Sequence, residues 1–160
     1  EPVEISDDGW QVAACPHSGP TIKIDGRGYL HVTWFTLGRS EKEAGIYYSV
    51  SKDGGEHFAP RQLVQANTAP EILHTTLAVA ADGTVYLAWE NLDDQNKSQI
   101  FMRSLASDGQ TWSSIQQVSR TAGNASRPML ALSQKLLHVA WTETEGERSW
   151  ISMRTAPVVK

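Results

Sequence analysis

Tyr29-Leu-His-Val-Thr-Trp34, Val85-Tyr-Leu-Ala-Trp89 and Leu137-His-Val-Ala-Trp141 are three copies of one short apolar segment that ends in tryptophan. The tryptophans lie 55 and 52 residues apart. A self-similar period of this length marks units that cannot bury their own faces and must stack on their neighbours. No helical period runs between the copies, so each segment reads as a strand inside a β unit.

Working outward, each unit supplies further strands. Ahead of the tryptophan segment stand Pro20-Thr-Ile-Lys-Ile24, Thr76-Leu-Ala-Val-Ala80 and Met129-Leu-Ala-Leu132. Asp25-Gly26 and Asp82-Gly83 join the first two of these to their tryptophan strands, and Asp-Gly between alternating apolar runs is a strong hairpin signal. Third strands follow at Gly45-Ile-Tyr-Tyr-Ser49, Gln99-Ile-Phe-Met-Arg103 and Trp150-Ile-Ser-Met-Arg154. Fourth strands follow only twice, at Arg61-Gln-Leu-Val64 and Ile115-Gln-Gln-Val118. Four-stranded meanders repeated in this way predict the blades of an all-β β-propeller.

The third unit lacks its outer strand, while Pro2-Val-Glu-Ile-Ser6 at the start resembles a fourth strand without a unit. The domain reading is a single propeller unit over 1–160, with residues 1–6 an outer strand donated to close the ring. Blade 1 covers 17–66, blade 2 covers 72–119, and blade 3 covers 126–160 without its outer strand. Closed propellers typically hold about 4–8 blades. Three would leave two apolar faces and a strand edge open to association. The reading is therefore three four-stranded blades per chain, assembling as a six-bladed propeller homodimer with strand-exchanged closure.

Composition narrows the partners. With 160 residues, a formal net charge of -4 and no Lys/Arg run, the chain has no nucleic-acid footprint. No apolar stretch approaches the ~18 residues of a membrane helix, so no membrane partner is expected. No signal peptide is visible. Cys15 is the one cysteine, which excludes a disulfide within the chain.

Between the third and fourth strands of the first unit lies Ser51-Lys-Asp53-Gly-Gly55-Glu-His-Phe58, and the second unit carries Ser107-Asp108-Gly109-Gln-Thr111-Trp112 one residue shorter. The first matches the pattern Ser-x-Asp-x-Gly, two residues, aromatic. The chain thus resembles the sialidase-type Asp-box (BNR-repeat) β-propellers. The resemblance implies six blades and a periplasmic or secreted location. It also implies structural turns built on Ser51, Asp53, Gly55 and Phe58, and on Asp108, Gly109 and Trp112. Sialidase chemistry itself implies an arginine triad, a tyrosine nucleophile with a glutamate, and an Arg-Ile-Pro motif. The motif is absent, and Arg127-Pro128 is the nearest approach to it.

Propeller sites gather where the innermost strands begin. Here those starts read Cys15-Pro-His17-Ser-Gly-Pro20, Leu73-His74-Thr75 and Ser126-Arg127-Pro128. Cys15, His17, His74 and Arg127 are therefore the candidate ligand-binding residues at the channel mouth, suited to a carbohydrate or small anionic ligand. A Cys-x-His spacing is too weak to carry a metal site, and no metal or cofactor is predicted. Trp34, Trp89 and Trp141 read as core, and His31 and His138, repeated inside strands, read as packing. Glu90 and Glu143, at the exit of the tryptophan strand, form a candidate pair for glycoside chemistry. The function read from the sequence is a non-catalytic binding or interaction module; the alternative is a glycoside hydrolase-like enzyme using those glutamates.

Overall fold

The computed structural model describes residues 1–10, 19–66, 73–133 and 135–158. Eleven strands follow in chain order: β1 (Thr21–Ile24), β2 (Leu30–Thr36), β3 (Gly45–Ser51), β4 (Gln62–Ala66), β5 (Leu73–Val79), β6 (Val85–Leu92), β7 (Ser98–Leu105), β8 (Gln116–Gln117), β9 (Asn124–Leu132), β10 (Leu136–Glu145) and β11 (Arg148–Pro157). They form three antiparallel meanders, β1-β2-β3-β4, β5-β6-β7-β8 and the three-stranded β9-β10-β11. Each tryptophan segment is the second strand of one of these sheets, and the third sheet has three strands among the described residues.

The sheets meet along their first strands, because β5 packs against both β1 and β9. Two apolar cores lie in the two seams. Ile46, Tyr48, Val64, Leu77, Leu87, Trp89 and Leu105 fill the first, between the sheets of β1–β4 and β5–β8. Tyr86, Ala88, Ile100, Leu130, Leu137, Val139 and Trp141 fill the second. Burying a side chain of this size stabilises the fold by about 1.5–3 kcal/mol, so the seams outweigh any single surface contact. Trp89 faces the first seam and Trp141 the second, as the core reading of these residues expects. Buried His31, whose Nδ1 pairs with the Tyr48 hydroxyl at 2.7 Å, and half-buried His138, whose Nδ1 lies 2.9 Å from Thr155 Oγ1, sit within strands.

The two outer faces of the row remain apolar and open. Ile22, Ile24 (67 % exposed) and Leu63 stand on one end, and Met129, Ile151 (72 % exposed) and Met153 on the other. Residues 1–10 form no strand, which departs from the expected strand at residues 2–6. The segment lies instead over its own first sheet, where Val3, Ile5 and Trp10 border Val32, Trp34 and Phe35. The reason is polar as well as apolar: Asp8 accepts the Trp34 indole N–H at 2.6 Å and pairs with Arg61, while Trp10 meets Phe35 edge-on at 6.1 Å.

The turns after β3 and β7 hold themselves through their acids. Asp53 accepts the Ser51 hydroxyl at 2.7 Å and the His57 N–H at 3.0 Å, with Gly55 at φ +101°. Asp108 accepts the N–H groups of Gln110 and Thr111 and the Thr111 hydroxyl, with Gly109 at φ +72°. The His57 N–H first, then the Ser51 hydroxyl, hold the Asp53 carboxyl well below the usual range. The half-buried Phe58 belongs to the first turn. Trp112 crosses the first seam, donating to Gln62 at 3.0 Å and meeting Tyr48 edge-on.

Candidate functional site

Glu90, near the end of β6, carries a largely buried carboxylate, its side chain 11 % exposed; the Asp25 side chain, 3 % exposed, is the other deeply buried acid. It follows Trp89, so strand alternation turns it to the second seam while the tryptophan faces the first. A buried carboxylate must be matched by donors or it loses its charge, and three donors converge on it. Ser98 Oγ, at the start of β7, donates to Oε1 at 2.8 Å. Oε2 accepts the backbone N–H of Arg127 at 3.1 Å and lies 3.0 Å from His74 Nδ1, where the ring N–H donates.

His74 and Arg127 reach Glu90 because their strands are bulged. In β5 the register steps from Leu73 opposite Glu90 to Thr76 opposite Ala88, so His74 and Thr75 together oppose Trp89. In β9 it steps from Ser126 opposite Thr142 to Met129 opposite Ala140, so Arg127 and Pro128 together oppose Trp141. The first residue of each bulge is left-handed, His74 at φ +50° and Arg127 at φ +56°. Neither is a glycine, and a side-chain-bearing residue held there costs of order 1–3 kcal/mol. Bulges re-aim side chains and cluster at functional sites. Two equivalent bulges with the same strained residue, on adjacent inner strands, frame one carboxylate.

Of the residues expected at the mouth, the structure thus brings His74 and Arg127 together on Glu90. Cys15 and His17 lie outside the described residues. The Glu143 carboxylate accepts the Trp141 indole N–H at 2.8 Å and, two residues past that tryptophan, lies on the same face of β10, the one turned to the second seam that Glu90 also faces. In register Thr142, not Glu143, is the counterpart of Glu90 one residue past the tryptophan. Sequence reading missed Ser98 as a site residue; its place at the opening of β7 was its only signal.

No protein-family model matches the chain, and no curated protein matches it. Solved structures do. An α-L-arabinanase from Penicillium chrysogenum, complexed with arabinobiose, superposes with a TM-score of 0.62 at 17 % identity, covering 96 % of this chain and 51 % of that one. A mutant α-L-arabinofuranosidase from Fusarium graminearum, in complex with an iminosugar inhibitor, gives 0.60 at 14 %, covering 85 % and 44 %. An endo-1,4-β-xylanase from Bacteroides thetaiotaomicron gives 0.52 at 15 %, covering 86 % and 48 %. The fold is a β-propeller. This chain spans about half the length of the propellers it matches. The likeness reaches the propeller fold that the sialidase resemblance implied, and the three structures named are glycoside hydrolases of other kinds.

Proposed function

We propose that this chain carries part of a glycoside hydrolase site, with Glu90 as a reacting carboxylate. The observation behind this reading is the Glu90 cluster: an anion buried at the strand starts, fixed by Ser98, His74 and the Arg127 N–H on two strained bulges. A carboxylate fixed in this way by donors is placed to stabilise a developing oxocarbenium ion or to take a proton from water. The exposed Arg127 side chain borders it and presents donors to sugar hydroxyls, and the half-exposed His74 ring stands beside it. The solved propellers that act on arabinosides and xylans favour this reading over the non-catalytic module first read from the sequence.

Glycosidases use two carboxyl groups, about 5–10 Å apart. Glu143, on the β10 face turned to the same seam, is the candidate second carboxyl within this chain, and the remaining blades of the ring are the other source. A second copy of this chain is the source we favour for those blades. Three blades match half of the solved propellers, and both ends of the row expose aliphatic side chains that further blades would cover. The test is hydrolysis of chromogenic α-L-arabinofuranosides and β-D-xylosides, with mass measured on the same sample. Turnover lost in Glu90→Gln supports the reading; a folded wild type inert on every substrate, or equal rates in the variant, overturns it.

A further inference from the structure

Two places past each tryptophan, the strand register pairs Thr36 with Gly45, Asn91 with Gln99 and Glu143 with Trp150. In the first two sheets this row is packed, with Thr36 and Gln99 each 1 % exposed and Gly45 buried. In the third sheet it is open, and Trp150 is 38 % exposed. The residue opposite the tryptophan itself differs in the reverse sense. Tyr47 opposes Trp34 and stacks on it at 6.2 Å, and Phe101 opposes Trp89, whereas Ser152 opposes Trp141. The third sheet thus lacks the ring beside its tryptophan and carries one nearer the end of β10. The corresponding end of β6 holds Glu90.

We infer that Trp150 is a stacking platform for the outlying units of an oligosaccharide whose reacting unit lies at Glu90. The inference rests on the proposed hydrolase and deepens it, because it makes the substrate a sugar chain rather than a lone glycoside. The two positions are joined through the strands between them. Ser98 Oγ, 2.8 Å from Glu90 Oε1, is also 3.0 Å from the carbonyl oxygen of Ala125. Ala125 is opposite Glu143, and Glu143 is opposite Trp150. Directly opposed residues share a face of the sheet, so Trp150 stands with Trp141 and Glu143 on the face turned to the second seam. Neighbouring strands lie about 4.8 Å apart, which puts the Trp150 backbone about 10 Å beyond Ala125, within the span of a short oligosaccharide. An exposed indole offers a broad apolar surface to the C–H face of a sugar. Among the described residues no aromatic ring or cation stacks on it. Beside it, Glu143 Oε1 takes the Trp141 N–H at 2.8 Å, which leaves Oε2 to accept from a sugar hydroxyl.

Binding is measured by calorimetry on the whole chain carrying Glu90→Gln, with arabinotriose, xylotriose, L-arabinose and D-xylose. The expected result is that one trisaccharide saturates the chain and binds more tightly than its monosaccharide. Trp150→Ala in the same background should weaken that trisaccharide about five- to tenfold, the loss of one aromatic contact. Trp150→Phe should recover part of the affinity, which a general loss of folding would not allow. With Glu90 in place, Trp150→Ala should raise KM more for the trisaccharide than for a chromogenic monoglycoside. No binding of either trisaccharide, equal trisaccharide affinity in Trp150→Ala, or equal rises in KM for long and short substrates would each overturn the platform. A wild type that binds the trisaccharide through Trp150 yet hydrolyses nothing would overturn the hydrolase reading and keep the platform, so the two fail separately.

Discussion

The backbone N–H of Arg127 donates to Oε2 of Glu90 across 3.1 Å, from a residue held at φ +56°. The acid is thus gripped by the main chain of the neighbouring blade, and the left-handed turn that aims the N–H is destabilising by itself. Strain kept beside a buried acid is the usual exchange of stability for a fixed site.

Replacing Arg127 with glycine should therefore stabilise the chain. Glycine adopts this φ without steric cost but loses more freedom on folding, so the net gain is up to about 1 kcal/mol. Arg127→Val, β-branched at the same backbone position, should instead cost about 1–3 kcal/mol. Urea unfolding of the two variants checks the ordering. A glycine variant less stable than the valine variant would show that the turn is not strained.

Acid should loosen the first sheet. Burial is the main force that lowers the His31 pKa below 6.5, ahead of the opposing pull of Asp25 at 3.5 Å; Arg27 also lowers it. The unfolded chain then binds a proton that the folded chain refuses, so stability present above about pH 6.5 falls as pH drops below it. Burial raises the Asp25 pKa, but the N–H groups of Tyr29 and Arg27, with the Arg27 and His31 side chains, outweigh it and lower the value to about 2. Its contribution is present above pH 3.8 and is lost as pH falls toward about 2. Chemical unfolding between pH 7.5 and pH 5 should show the first loss in the wild type and a smaller one in His31→Gln. Equal slopes would remove His31 from the explanation.

The turn after β3 offers a cleaner stability test. Ser51 is fully buried, donates to Asp53 and accepts the Gly55 N–H at 2.9 Å. Ser51→Ala should cost about 1–3 kcal/mol by leaving those groups unpaired. Gly55→Ala should also destabilise, because φ +101° disfavours any Cβ and the added carbon would sit 3.1 Å from Leu30 Cδ1. Thermal unfolding of both variants measures the effect.

Solution mass tests the assembly. A closed pair predicts twice the 17.6 kDa of one chain, and deletion of residues 1–6 should weaken it. In the structure the neighbouring Asp8 fastens this segment to Trp34 and Arg61 of its own first sheet. Exchange into a partner must break those contacts, and Asp8→Ala should favour it. Light scattering that shows a stable single chain at every concentration would leave the segment as a cover for blade 1.

Much of this was legible in the residues. The repeated tryptophan strands and the Asp25-Gly26 and Asp82-Gly83 turns set out three sheets, and alignment of the inner-strand starts placed His74 and Arg127 at equivalent positions. The bulges were hidden, because nothing in a histidine or arginine announces a left-handed backbone; glycine or asparagine would have. Glu143 was matched to Glu90 by its distance from the strand end, whereas pairing register makes Thr142 the counterpart. The one visible hint was Glu90 itself, a charge placed directly after a buried tryptophan where Phe35 and Thr142 stand in the other copies. Residues 2–6, read as a strand, form none in the single chain, because apolar alternation at Val3 and Ile5 serves equally well to cover a neighbouring sheet.

Chemical rescue tests most directly whether Glu90 reacts. Glu90→Ala removes the carboxylate and leaves a gap between Ser98, His74 and the Arg127 N–H that formate can enter. The expected result is a fall of about 10²–10⁴-fold in hydrolysis of an activated arabinoside or xyloside, with much of the rate restored by added formate and no change in thermal stability on its addition. A folded Glu90→Ala chain as active as the wild type, or one that formate cannot revive, would contradict a reacting role for this carboxylate.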